Sequence, residues 1–209
     1  MMQCDCSVDF GQSNNKSEPE EQKSQEEEIQ VTDEMIQRAI FSPLLQKTLR
    51  KIKAREAVDL TEKAYEKTAL YVAVDHAVAD NTKDIVQILL QQGANPNTTN
   101  QGGNTALHKL AILAYSNDAK DRLLAVGELL LKKGASTEVK NSAGKAPLHI
   151  AALFGYEYMV KFLVDHGANK SARDNQGKTP LDLAMQKKHE NSGSDTEKEY
   201  ESIIHLLQL

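Results

Sequence analysis

The sequence predicts an all-α solenoid: helix pairs stacked in a row, joined by short β-turn or hairpin loops and closed at the N-terminal end by capping helices. Three observations carry that expectation. Gly144, Pro147 and Leu148 recur 33 residues later as Gly177, Pro180 and Leu181, and self-similarity at such a period marks stacked-repeat architectures. The stretch from Asn141 to Arg173, NSAGKAPLHIAALFGYEYMVKFLVDHGANKSAR, reads as turn, short helix, tight turn, longer helix and loop, with weaker copies upstream. Each such unit leaves an apolar side that only a neighbouring unit can cover.

Composition fits one elongated domain with tails. The chain has 209 residues, 40% of them apolar, which is enough for a core. No apolar run of about 18 residues occurs, and the start, MMQCDCSVDFGQ, lacks a basic n-region and an apolar h-region, so neither a membrane span nor a secretory signal is expected. The cytoplasm is the default location. Cys4 and Cys6 form a single CxC, which supplies no disulfide framework and, with no histidine nearby, leaves a zinc site incomplete.

Residues 1–28 hold eight acids, Asp5, Asp9, Glu18, Glu20, Glu21, Glu26, Glu27 and Glu28, against Lys16 and Lys23, a net of −6 that leaves +1 for the rest of a chain whose total is −5. Almost no aliphatic side chain accompanies them, so burial cannot offset ordering entropy, and an acidic disordered tail is predicted. The nearly neutral remainder argues against a nucleic-acid surface, which needs a concentrated basic face.

Residues 29–66 are predicted to form a helical cap. Thr32 or Asp33 caps a helix carrying Met35, Ile36, Ala39 and Ile40, with acids in its first turn where the dipole favours them. Ser42 and Pro43 open a second helix, with Leu44, Leu45, Thr48, Leu49 and Ile52 as its apolar stripe. Its other face holds Lys47, Arg50, Lys51, Lys53 and Arg55. That is read as a solvated face, with a nuclear-targeting or acidic-partner patch as the alternative.

Four units follow, over 67–99, 100–140, 141–173 and 174–209. In the first, Thr68–Val74 is the inner helix and Asp84 begins the outer one; Glu66 stands where the other units carry glycine, so the hairpin leading in is expected to be absent or irregular. In the second, Leu107 to Gly134 spans 27 residues against 19 for Leu148 to Gly167. Asn117 and Asp118 are good caps, so the insertion should extend both helices around a turn there. Gly127 falls in mid-helix, where glycine costs about 1 kcal/mol, and close helix approach is the expected compensation. The fourth unit is interrupted by a polar loop, His189 to Thr196, before a capping box at Thr196 and Glu199.

These residues resemble the ankyrin repeat, whose pattern runs D/N-x-x-G-x-T-P-L-H-x-A-A, then G, then V-x-x-L-L-x-x-G-A. The resemblance covers roughly residues 60–209 and implies an ankyrin-repeat α-solenoid. It implies β-turns from Asn100, Asn141 and Asp174 to Gly103, Gly144 and Gly177, inner-helix caps at Thr68, Thr105 and Thr179, and left-handed stops at Gly93, Gly134 and Gly167. Ala146 breaks the pattern at a cap. His108 and His149 are expected to hydrogen-bond within and between repeats; about 10 Å apart, they are too distant to share a zinc with ligand bonds of about 2 Å. Asp182 replaces the histidine in the last unit.

No GxSxG, P-loop, dinucleotide fingerprint or paired Cys/His motif is present, so no catalytic residue, metal site or cofactor is expected. What the resemblance implies is a scaffold, adaptor or inhibitor that binds a partner protein on a concave face of turn tips and inner-helix ends. The candidate residues are Asn104, Lys145 and Lys178 at the tips, and Ile112, Leu113, Tyr115, Leu153, Phe154 and Tyr156 at the helix ends, where clustered apolar side chains mark either an interface or a covered patch. A monomer without nucleic-acid, membrane or small-molecule ligands is expected. Two alternatives stand: an array that presents its N-terminal segment as the binding element, and a secreted bacterial effector in a host cytosol.

Overall fold

In the computed structural model the described residues are 29–39, 42–56, 63–64, 67–77, 82–194 and 196–208. The expected acidic tail, the cysteine pair, Ile40 and the middle of the first unit's long connection lie outside them. The elements run α1 (Asp33–Arg38), α2 (Pro43–Lys53), β1 (Lys63–Ala64), β2 (Lys67–Thr68), α3 (Ala69–Asp75), α4 (Thr82–Gln91), α5 (Ala106–Leu113), α6 (Lys120–Lys132), α7 (Pro147–Phe154), α8 (Glu157–Asp165), α9 (Pro180–Glu190) and α10 (Glu197–Gln208).

From α3 onward the helices pair within each unit, α3 with α4 through to α9 with α10. Each inner helix then packs on the next, α3 on α5 on α7 on α9. One apolar core runs the length of this stack, from Met35 and Leu49 through Leu107, Leu148 and Met159 to Ile203. At the N-terminal end α2 packs on α3, burying Leu44, Leu45, Thr48 and Leu49. At the other end no further inner helix among the described residues stacks on α9. Met185, in the register that Ala111 and Ala152 occupy fully buried, is therefore 52% exposed.

The helix starts follow the sequence. Hydroxyls of Thr32, Ser42, Thr68 and Thr179 accept from the amides of Met35, Leu45, Tyr71 and Asp182 at 3.2 to 3.3 Å, each satisfying a donor that the first turn leaves without a helical partner. Thr105 does the same for His108 at 3.5 Å. At the end of α2, Arg55 takes the left-handed conformation at φ +56°. Its amide bonds to Ile52 and that of Glu56 to Lys51, a Schellman closure made without the usual glycine.

Four expectations need correcting. A hairpin does lead into the first unit: β1 and β2 pair antiparallel, Lys63 with Thr68 and Ala64 with Lys67. The insertion in the second unit lengthens only the outer helix, since α6 has 13 residues against 9 for α8 while α5 and α7 both have 8. Neither Asn117 nor Asp118 caps α6; Ala119 does so without a side-chain bond, because Ser116 to Ala119 closes as a turn through the Ala119 amide. In the fourth unit α9 runs on through His189 and Glu190. There the carboxylate that turns back is Glu197, onto the Gly193 amide at 2.8 Å, while the Thr196 hydroxyl meets Ser194.

Gly127 is buried where α6 crosses α8. A Cβ there would lie 2.7 Å from Cζ of Phe162 and 3.0 Å from Cδ2 of Leu110, so the close approach expected of this glycine is what its missing side chain makes room for.

Candidate protein-binding surface

The turns that join the units are built from short-range polar chemistry. Asn141 Oδ1 accepts from the amides of Ala143 and Lys145, and Asp174 Oδ1 from those of Gln176 and Lys178, all at 2.9 to 3.0 Å. Successive turns are then stitched together, the Ser142 amide to the Gly102 carbonyl and the Asn175 amide to that of Ala143. Gly144 sits at φ +72° directly against Asn175, so a side chain there would meet the next turn as well as the steric cost of that φ.

This stitching occupies the tip residues singled out from the sequence. Asn104 Oδ1 accepts from Asn141 Nδ2 at 2.9 Å. Lys145 Nζ lies 2.7 Å from Asp174 Oδ2, a carboxylate with no exposed side-chain surface. Burial works to raise the Asp174 carboxyl, but hydrogen bonds from Lys145, Lys178 and Gln176 outweigh it and hold it below the ordinary carboxylate range. Lys178 Nζ reaches Gln186 Oε1 at 2.6 Å. These side chains therefore join turn to turn or turn to helix, and Gln101, Ser142, Ala143, Asn175 and Gln176 are the exposed tips.

His108 and His149 carry a second set of joints. In each, Nδ1 accepts a backbone N–H, from Thr105 at 3.1 Å and from Ala146 at 3.2 Å. Nε2 faces a carbonyl of the following turn, Lys145 at 2.9 Å and Lys178 at 3.3 Å. A fixed donor on one side and a fixed acceptor on the other require the neutral Nε2–H tautomer. Burial holds both rings below the ordinary histidine range despite the carbonyl bonds. In the last unit Asp182 keeps the inner half of this device, accepting from the Thr179 amide and hydroxyl at 2.8 Å. The perturbed histidines are thus sealed structural joints rather than groups in a cleft. Among the described residues no group of three or more His, Cys, Asp or Glu could hold a metal ion.

The inner-helix ends divide. Leu113 is only 6% exposed and belongs to the core beside Ala114 and Ala119, which corrects its assignment to an open surface. Ile112 and Leu153 are half-buried. Tyr115 and Phe154 stand out at 63% and 50% exposure, and the Phe154 ring stacks on half-buried Tyr156 at 5.9 Å and 19°. An open aromatic step therefore crosses from the second unit to the third.

Three residues outside the predicted surface, Tyr200, Tyr158 and Lys120, complete it. Tyr200 of α10 donates to the Leu153 carbonyl at 3.1 Å and packs over Gly155. Tyr158 lies beneath Lys120, whose Nζ is 5.5 Å from the ring centroid. Its buried hydroxyl has no hydrogen-bond partner among the described residues, and burial, then Tyr156, push its pKa up to about 12.

A family model described as ankyrin repeats, three copies, matches residues 74–174 and 119–192, together more than half of the chain. The chain belongs to the ankyrin-repeat family. Ankyrin repeats are generally protein–protein interaction modules and typically non-catalytic. The matched residues include every stitched turn and both histidine joints of the array. No curated protein matches the sequence. Among the described residues of this ankyrin chain, no helix is long and apolar enough to cross a membrane.

Proposed function

We propose that this ankyrin array is a non-catalytic adaptor or inhibitor that binds a folded partner protein on the face formed by its turn tips and inner-helix ends, acting as a monomer in the cytoplasm. The observation that carries the reading is the aromatic step of Tyr115, Phe154 and Tyr156. Exposed rings are expensive to leave in water and lose few rotamers on binding, which is why aromatic side chains dominate interface energetics. Support for a non-catalytic role comes from the histidines, since the two whose pKa burial lowers are committed to joints between repeats.

A bait carrying Phe154→Ala tests this. The ring is half in solvent, so its removal leaves the core intact, and the substituted bait should lose a partner that the natural chain captures from a lysate. Equal recovery by both baits would count against the surface.

A second reading has the array presenting its N-terminal segment. It draws support from exposed Arg50, Lys53 and Arg55 on and just beyond α2, close to where that acidic segment joins. A bait lacking residues 1–28 distinguishes the two: unchanged capture favours the aromatic step, lost capture the N-terminal segment.

A further inference from the structure

Beside the aromatic step lies a cleft of about 290 Å³, room for one long side chain and below the usual range for a small-molecule pocket, roughly 300–1,000 Å³. Its lining includes Tyr115, Lys120, Tyr156, Glu157, Tyr158 and Glu199. We infer that this cleft seats an arginine side chain of the partner protein, its guanidinium held between the Tyr115 and Tyr156 rings and bonded by Glu157 and Glu199. The inference rests on the protein-binding reading above and names the chemistry that reading leaves open.

Four observations converge on a planar cation. Tyr115 and Tyr156 occupy the same register on adjacent, packed inner-helix ends. Packed helices lie roughly 8–10 Å apart and a cation within about 6 Å of a ring centroid is attracted to it, so one guanidinium can reach both rings. Glu157 and Glu199 are exposed, and neither forms an ion pair among the described residues. With Lys120 the only base in the lining, two carboxylates against one ammonium leave the cleft net negative. The chain itself already sets a cation on a third ring of the lining, Lys120 over Tyr158. Arginine fits better than lysine because its planar fork stacks on rings while donating to carboxylates at its edge, whereas an ammonium is a compact, strongly hydrated point charge.

The test is a titration of the full chain with N-acetyl-arginine amide, followed by backbone amide chemical shifts. Saturable shifts are expected at Tyr115, Gly155 and Tyr156. They should need at least fivefold more N-acetyl-lysine amide and be absent with N-acetyl-citrulline amide, which keeps the shape without the charge. The pair Glu157→Gln and Glu199→Gln should weaken the arginine response at least fivefold while Tm falls by no more than a few degrees, since both side chains are in solvent and lose only their first-turn interaction with the helix dipole. Equal responses to the three probes, or indifference to the double substitution, overturn the arginine seat. If the probe fails while Phe154→Ala still costs the bait its partner, the seat is wrong and the protein-binding reading stands. A Phe154→Ala bait that keeps its partner overturns the reading itself.

Discussion

Replacing Gly127 by alanine sets two opposing effects against each other in one helix. In an open helix interior the substitution stabilises by about 0.8–1.0 kcal/mol, because glycine loses more backbone freedom on folding. Here the new Cβ would sit 2.7 and 2.8 Å from Cζ and Cε1 of Phe162 and 3.0 Å from Cδ2 of Leu110. Phe162 is 7% exposed and its ring is also packed against His166, 4.5 Å between centroids, so it has little room to withdraw. Overpacking of this kind costs about 1–3 kcal/mol. Gly127→Ala should therefore be neutral to destabilising, by up to about 2 kcal/mol. In a Phe162→Leu background, where both ring atoms are gone, the same change should stabilise by up to about 1 kcal/mol. Urea melts of the four proteins read the coupling directly. A gain near 1 kcal/mol in the natural background would show that α6 and α8 do not meet as closely as described.

Other consequences are simpler to check. Ala146 has the backbone of a cap, φ −79° and ψ 166°, and its amide donates the reciprocal bond to His149 Nδ1, but it has no hydroxyl; Ala146→Thr should add about 1 kcal/mol, or about 2–4 °C in Tm. His108 and His149 have folded pKa values below the unfolded value near 6.5, so the unfolded chain binds the extra protons. Their contribution is complete above about pH 6.5 and is lost as pH falls toward the folded values, with a slope of at most about 1.4 kcal/mol per pH unit for each; urea midpoints at pH 7.5 and 5.5 should differ in that sense, and a flat profile would mean the rings are not held neutral. Tyr158→Phe removes a buried hydroxyl that has no partner among the described residues and should raise stability by about 1 kcal/mol in thermal melts, where a loss would mean the hydroxyl is bonded in solution.

What the sequence could disclose was whatever depends on neighbours along the chain. Caps at Thr68, Thr105 and Thr179, left-handed stops at Gly93, Gly134 and Gly167, and the turns begun by Asn141 and Asp174 are decided within four or five residues, and the structure has them. The tight place at Gly127 was also legible, because a glycine in mid-helix needs a reason. Choices that depend on more distant partners were not. Leu113 and Phe154 hold equivalent places in successive repeats, yet Leu113 is covered beside the turn of the insertion and Phe154 is not. Lys145 looks like any tip lysine until Asp174, 29 residues on, is seen beside it. The pairing of Lys63–Ala64 with Lys67–Thr68 likewise went against the local signal, Glu66 standing where the other units carry glycine.

The measurement closest to the central claim is calorimetric: the captured partner titrated into the natural chain, into Tyr115→Ala with Phe154→Ala, and into the chain lacking residues 1–28. Two exposed aromatic anchors truncated together should weaken binding at least tenfold, about 1.4 kcal/mol or more, with Tm unchanged and the truncated chain binding as before. Unaltered affinity in the double substitution, with binding lost on removal of residues 1–28, would place recognition in the N-terminal segment and contradict the account.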